Sequence, residues 1–166
     1  VGELTYSDLL GPLTESAVHS FRYAAVFVDD FSGYISVYPM REKSDLEHTH
    51  ARYEQDMSPY VSTIQRRFHS DNGGEFINNS FAEYLRSKGE KQTQSSPYAP
   101  NQNTIAEQAM WKLCSTTRAL LLESGLPTCH WAMAIIQAAK RINVQPRRMH
   151  PVGSTTGTRP PNNNEE

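Results

Sequence analysis

The sequence predicts an α/β domain in which a mixed five-stranded sheet is covered by helices. Three observations lead there. Short runs with a period of two alternate with segments of helical period. Their order is strand, hairpin pair, helix, strand, helix, strand, helix, helix. At 166 residues, 37% of them hydrophobic, the chain is long enough for one domain with a real core.

"LTYSDL" alternates Leu4 and Tyr6 with a polar set, the pattern of a half-buried strand. "GPLTES" turns the chain. "YAAVFVDDFSGYISVYPM" reads as two strands around the turn "DDFSG", an antiparallel hairpin. "EKSDLEHTHARYEQDM" is polar with poor periodicity but holds good helix formers, which predicts an exposed helix. "VSTIQRRFHS" is the fourth strand, and it delivers Asp71. Phe76, Phe81, Tyr84 and Leu85 then stand near helical spacing, with Gly89 as the stop. "KQTQSS" is a short strand and "PYAPNQN" a loop. A long helix is predicted from Thr104 to about Glu123, with Ile105, Ala109, Leu113 and Leu120 on one face, ended by "GLP". "CHWAMAIIQAAKRI" forms the last helix. Residues 1–144 are read as one core domain. The stretch 145–166 is rich in Pro, Asn, Gly and Thr and is expected to be a disordered tail.

Composition excludes several classes. No run approaches the roughly 18 apolar residues of a membrane helix, so no membrane partner is expected. "VGELTYSDLLGP" lacks the regions of a secretory signal and an initiator methionine, the look of a piece of a longer protein. A net charge of −2 makes no global case for nucleic acid, so such binding would depend on local patches. Cys114 and Cys129 form no Cys-x-x-Cys pair, which argues against a zinc knuckle and fits a reducing compartment.

Three acids stand out by position. Asp8 closes the first strand, Asp71 closes the fourth, and Glu107 lies in the first turn of the long helix, 35 residues after Asp71. Neighbouring strand ends and a helix start can converge on one sheet edge. Three carboxylates there would repel one another unless a hard cation such as Mg²⁺ or Mn²⁺ neutralised them. Asp71 also has a plainer reading, since the "DNGG" that it opens is turn chemistry. Among rivals, Asp29 and Asp30 are adjacent and so point to opposite faces, which favours a hairpin-turn role. Glu75 falls where an acid complements a helix dipole. His48 and His50 point in different directions on a helix read as exposed, so a solvated face is expected for both.

"SDLLGP", "FVDDFSGY", "HSDNGGEF", "SSPYAPNQNTIAEQ" and "SGLPTCHWAMAI" together resemble the integrase core of copia-type LTR retrotransposons, in one order from about Tyr6 to Asn143. The resemblance implies a ribonuclease-H-like fold with helices on both faces of a mixed five-stranded sheet. It also implies a DDE-type polynucleotidyl transferase. The triad then falls on Asp8, Asp71 and Glu107, as catalytic residues and as ligands of two Mg²⁺ or Mn²⁺ ions. The reaction implied is 3′-end processing and strand transfer. The partners implied are element-end and target DNA and further copies of the chain, with no small-molecule substrate and a nuclear location. Relatives are similar in carrying a zinc-binding domain upstream and a basic region downstream, neither of which is seen in this sequence.

The sequence departs from the family around the glutamate. Relatives carry "NGVAER" and a further arginine, whereas this chain has "NTIAEQAMWK". Thr104 replaces a glycine, Gln108 an arginine, and Trp111 the second arginine. Asn103, Gln108, Trp111, Lys112 and Arg118 are the candidate DNA-binding residues. Glu107, Trp111, Cys114 and Arg118 share a helix face, with Lys112 about 100° away. Trp111 could stack on a base or pack into a helix interface. Two alternatives to an active integrase stay open: a catalytically silent DNA-binding or multimerisation module, and a hydrolytic ribonuclease-H-like nuclease.

Overall fold

A computed structural model of the chain describes residues 1–61, 66–70, 79–94 and 104–145. One sheet contains β1 (Leu4–Leu10), β2 (Tyr23–Asp29), β3 (Ile35–Met40), β4 (Arg66–Ser70) and β5 (Glu90–Gln94). The strand order is β3-β2-β1-β4-β5. β2 runs antiparallel to β1 and β3, while β4 runs parallel to β1 and β5. The helices are α1 (Leu46–Met57), α2 (Asn79–Ser87), α3 (Thr104–Ser124) and α4 (Trp131–Asn143). They cover both faces, and the expected mixed five-stranded architecture is what is observed. Residues 62–65, 71–78, 95–103 and all residues after Gln145, where most of the expected tail falls, lie outside the described residues.

β2 decides the layering. "AAVFVD" has no polar residue until its end, and every one of its residues from Ala24 to Asp29 is buried, as a strand covered on both faces requires. Ala24, Val26 and Val28 meet Leu113 of α3 and the α4 stripe of Trp131, Ala132, Ile135, Ala138, Ala139 and Ile142. Ala25 and Phe27 face the other way, onto Leu46, Tyr53 and Met57 of α1 and Phe81 and Leu85 of α2. The α4 stripe recurs every three to four residues, the spacing of one helix face. Asn143 then locks the end of α4 to the sheet: its Oδ1 accepts from Ile35 N at 2.9 Å and its Nδ2 donates to Ile35 O at 2.8 Å.

The hairpin turn forms as its residues dictate. Asp29 is 1% exposed. Its Oδ2 accepts from Ser32 N at 2.7 Å and Ser32 Oγ at 2.5 Å, and its Oδ1 accepts from Gly2 N at 2.6 Å. Gly33 adopts φ 62°, a left-handed conformation that glycine takes without steric cost. Asp29 therefore ties the turn to the N-terminus.

Three expectations fail, each for a physical reason. β1 does not present Leu4 and Tyr6 as its buried set. Thr5 and Ser7 are the deeper residues, at 7% and 0% exposure, because β1 is the central strand and their face lies on the α1 side, where Thr5 Oγ1 is 3.1 Å from Tyr53 Oη. α1 is not an exposed helix. It buries Leu46, Thr49, His50, Tyr53 and Met57, positions i, i+3, i+4, i+7 and i+11. The stripe reads as polar because threonine, histidine and tyrosine make up most of it. Ile105 is not on the buried face of α3: it is 38% exposed, while Ala106, Leu113 and Thr117 are buried.

His50 corrects the expectation of a solvated pair most sharply. His48 is exposed, but His50 is 1% exposed within a ring of Phe27, Tyr53, Phe68, Phe81 and Tyr84. Its Nε2 lies 3.3 Å from Glu90 Oε2, and Arg66 Nη1 lies 3.5 Å from Glu90 Oε1. Arg66 Nη1 also donates to Glu54 Oε1 at 2.8 Å. This cluster joins α1 to β4 and β5 from beneath the sheet.

Candidate active site

Asp8 sits on the central strand, two residues before its end rather than at the end itself. β1 stays paired through Leu10, opposite Ala24 of β2, so the strand outlasts the acid. Side chains alternate along a strand. Tyr6 and Leu10 pack against the core beneath α3 and α4, whereas Leu9 packs on the opposite one. Asp8 shares the face of Tyr6 and Leu10 and is half-buried. Its Oδ1 accepts from Leu9 N at 2.7 Å.

α3 lies over that face. Burial pushes the Cys114 thiol pKa up, the Asp8 carboxylate adds to the rise, and Arg118 opposes it. Cys114 and Asp8 are thus electrostatic neighbours, a pairing that no local signal in the sequence could reveal. Glu107 is exposed in the first turn of the same helix, about 10 Å nearer its N-terminus at 1.5 Å per residue. Gln108, Trp111 and Arg118 are exposed, and Trp111 is 75% exposed, which removes its helix-interface reading. Lys112 is half-buried, and its Nζ donates to Gln145 Oε1 at 2.8 Å. Asp71 and Asn103 lie outside the described residues.

Beside Asp8, the parallel pairing of β1 and β4 sets Ser7 opposite Ser70 and Tyr6 opposite His69. The Tyr6 and His69 rings meet edge to face at 5.3 Å, and His69 Nδ1 lies 3.0 Å from Thr93 Oγ1. Burial lowers the His69 pKa. Asp8 offers a carboxylate here, the kind of oxygen ligand that Mg²⁺ and Mn²⁺ take. Among the described residues, no three His, Cys, Asp or Glu side chains gather as a metal site.

The comparisons with known proteins agree with this architecture. The family model described as "Integrase core domain" matches residues 4–100, more than half of the chain. The chain is 28% identical over 144 residues to the Retrovirus-related Pol polyprotein from transposon TNT 1-94 of Nicotiana tabacum, covering 87% of this chain and 11% of that protein. It is 31% identical over 144 residues to the Pol polyprotein from transposon RE1 of Arabidopsis thaliana, covering 87% of this chain and 10% of that one. The chain therefore spans about a tenth of the length of these relatives. Among solved structures, the catalytic core domain of BIV integrase superposes with a TM-score of 0.62 at 18% identity, over 90% of this chain and 88% of that one. At that identity the likeness speaks for the fold, which is ribonuclease-H-like. With a family model spanning most of the sheet and half-buried Asp8 on its central strand, the chain belongs to the integrase core domain family.

Proposed function

We propose that this chain is the catalytic core of a retrotransposon integrase. Water cuts a phosphodiester near each 3′ end of the element's DNA, and the freed 3′-OH then attacks a phosphodiester of target DNA, displacing a 3′ oxygen. The observation that carries the reading is the placement of Asp8, half-buried on the central strand of an integrase core sheet and facing α3. The β1–β4 register supports it. Ser70, which precedes Asp71 in the sequence, stands opposite Ser7, which precedes Asp8. Glu107 opens the helix that covers the Asp8 face.

Asp8, Asp71 and Glu107 would hold Mg²⁺ or Mn²⁺. The ions would lower the pKa of the attacking hydroxyl and stabilise charge on the transferred phosphoryl group. The protein's own contribution is placement. The central strand fixes Asp8 opposite Val26 of β2, directly after the Ser7–Ser70 pair with β4, and the Leu9 N–H steadies its Oδ1. The test is a strand-transfer or disintegration assay on branched oligonucleotides, with Mg²⁺ or Mn²⁺ and with chelator. Asp71→Asn should abolish joining in a protein that still melts cooperatively, and Asp30→Asn should leave joining intact. The reverse outcome would show that the wrong acid has been chosen.

A second reading, a multimerisation module without chemistry, is favoured by one observation. α3 carries only two cations, Lys112 and Arg118, and Lys112 is engaged by Gln145. Metal-dependent joining by the wild-type chain would refute it.

A further inference from the structure

Trp111 is 75% exposed, one helical turn after Glu107 on α3. Residues four apart on a helix have side chains about 5–6 Å apart at Cβ, so its indole stands beside the proposed catalytic glutamate. Scattered exposed apolar residues are ordinary on a surface. A tryptophan three-quarters exposed next to the proposed catalytic carboxylate is a narrower case, because an indole offers the widest stacking surface of any side chain. Charge does not supply an alternative grip along this face. Between Glu107 and Leu122 it presents Arg118 as its one exposed cation among the described residues, and Leu122 itself is 82% exposed.

The proposed reaction produces an unpaired base near this point. Cutting one strand near its 3′ end leaves the complementary 5′ end single-stranded, next to the residues that made the cut. We propose that Trp111 is a stacking platform for an unpaired nucleobase at the processed DNA end, holding that end by its π-face where phosphate attraction is weak. The proposal rests on the integrase reading. It adds a ligand, the unpaired 5′ base, and a mode of contact that does not depend on salt.

The chain reports on this directly. It has two tryptophans, and Trp131 is 7% exposed with its Nε1–H donating to Thr14 O at 2.7 Å, so changes in quenching by iodide follow Trp111. The full 166-residue chain is titrated with a blunt duplex, with the same duplex carrying a two-base 5′ overhang, and with an overhang whose bases are abasic. The overhang duplex should shield Trp111 from iodide and bind more tightly than the other two. Trp111→Ala should weaken overhang binding by roughly 5- to 140-fold, the range expected for one stacked base. Trp111→Phe should recover most of the loss. The slope of log affinity against log salt should be the same for Trp111→Ala as for wild type, because no phosphate contact is removed.

Equal binding of all three duplexes by wild type, or full affinity in Trp111→Ala, overturns the stacking role while leaving the integrase reading intact. If Trp111→Ala instead abolishes self-association and leaves DNA affinity unchanged, the indole serves an interface between copies and the proposal is wrong. If wild type neither binds DNA nor joins it, the integrase reading fails and this one falls with it.

Discussion

Glu90→Gln isolates the charge in the cluster beneath the sheet, because glutamine keeps the shape of a protonated glutamate. The Glu90 side chain is 5% exposed, with His50 Nε2 at 3.3 Å and Arg66 Nη1 at 3.5 Å. Burial pushes its carboxyl pKa up, but the His50 hydrogen bond and charge, with Arg66, outweigh that and hold it below its ordinary value of 4.5. A hydrogen bond to a charged group contributes roughly 1.5–3 kcal/mol, and desolvation of the carboxylate offsets part of it. Arg66 adds less, since its side chain is 31% exposed and its shorter contact is to Glu54. The expected loss at pH 7 is about 2 kcal/mol, or about 4–8 °C in Tm for a domain of this size.

The pH dependence fixes the cause. A carboxyl held below its unfolded value contributes stability that is complete above that value and is lost as pH falls through the folded one. Melts of wild type and Glu90→Gln should therefore differ fully at pH 7, converge below about pH 4.5, and coincide once the wild-type carboxyl is protonated. The assay is thermal or urea unfolding by circular dichroism at several pH values from 7 to 3. A gap of the same size at pH 7 and pH 3 would mean that shape rather than charge holds the cluster. Absence of any gap at pH 7 would mean that the ion pair is neutral in its effect.

Two further outcomes follow from the geometry. Asp29→Ala removes the acceptor of Gly2 N, Ser32 N and Ser32 Oγ and should cost about 3 kcal/mol in urea unfolding, since it leaves donors unpaired near a buried turn. Gln108→Arg with Trp111→Arg should steepen the salt slope of DNA binding by roughly two, at about 0.9 per neutralised phosphate. Both positions are exposed, so thermal melts of that double variant should match wild type, and an unchanged slope in a folded protein would show that this helix face does not meet phosphates.

What the sequence made legible was whatever local chemistry decides. The "DDFSG" turn, the apolar run of β2 and the glycine stops follow from conformational preference and periodicity, and they reappear at Asp29–Gly33, Tyr23–Asp29 and Gly89 with φ 73°. What escaped depends on distant partners. α1 looked exposed because burial of His50 and Thr49 is made tolerable only by packing: Glu90, forty residues away, meets the imidazole, and five aromatic rings close around it. The same limit governs the site. Sequence position marked Asp8 and Glu107 as acids near element boundaries, yet the boundary at Asp8 shifted because β2 continues to pair with Leu9 and Leu10. Cys114, an electrostatic neighbour of Asp8, stands about two turns beyond Glu107, and the stacking of α3 over β1 brings it there. Trp111 shows the converse. Helical spacing alone left it between packing and solvent, because a residue some 40° from Glu107 can face either, and the direction is set by where Leu113 and Ala106 bury. Those two small and medium apolar side chains roll α3 onto the sheet, and in doing so they turn Glu107 and Trp111 outward together. A substitution that rotated α3, such as a bulky residue at Ala106, would therefore move the glutamate and the indole as one unit.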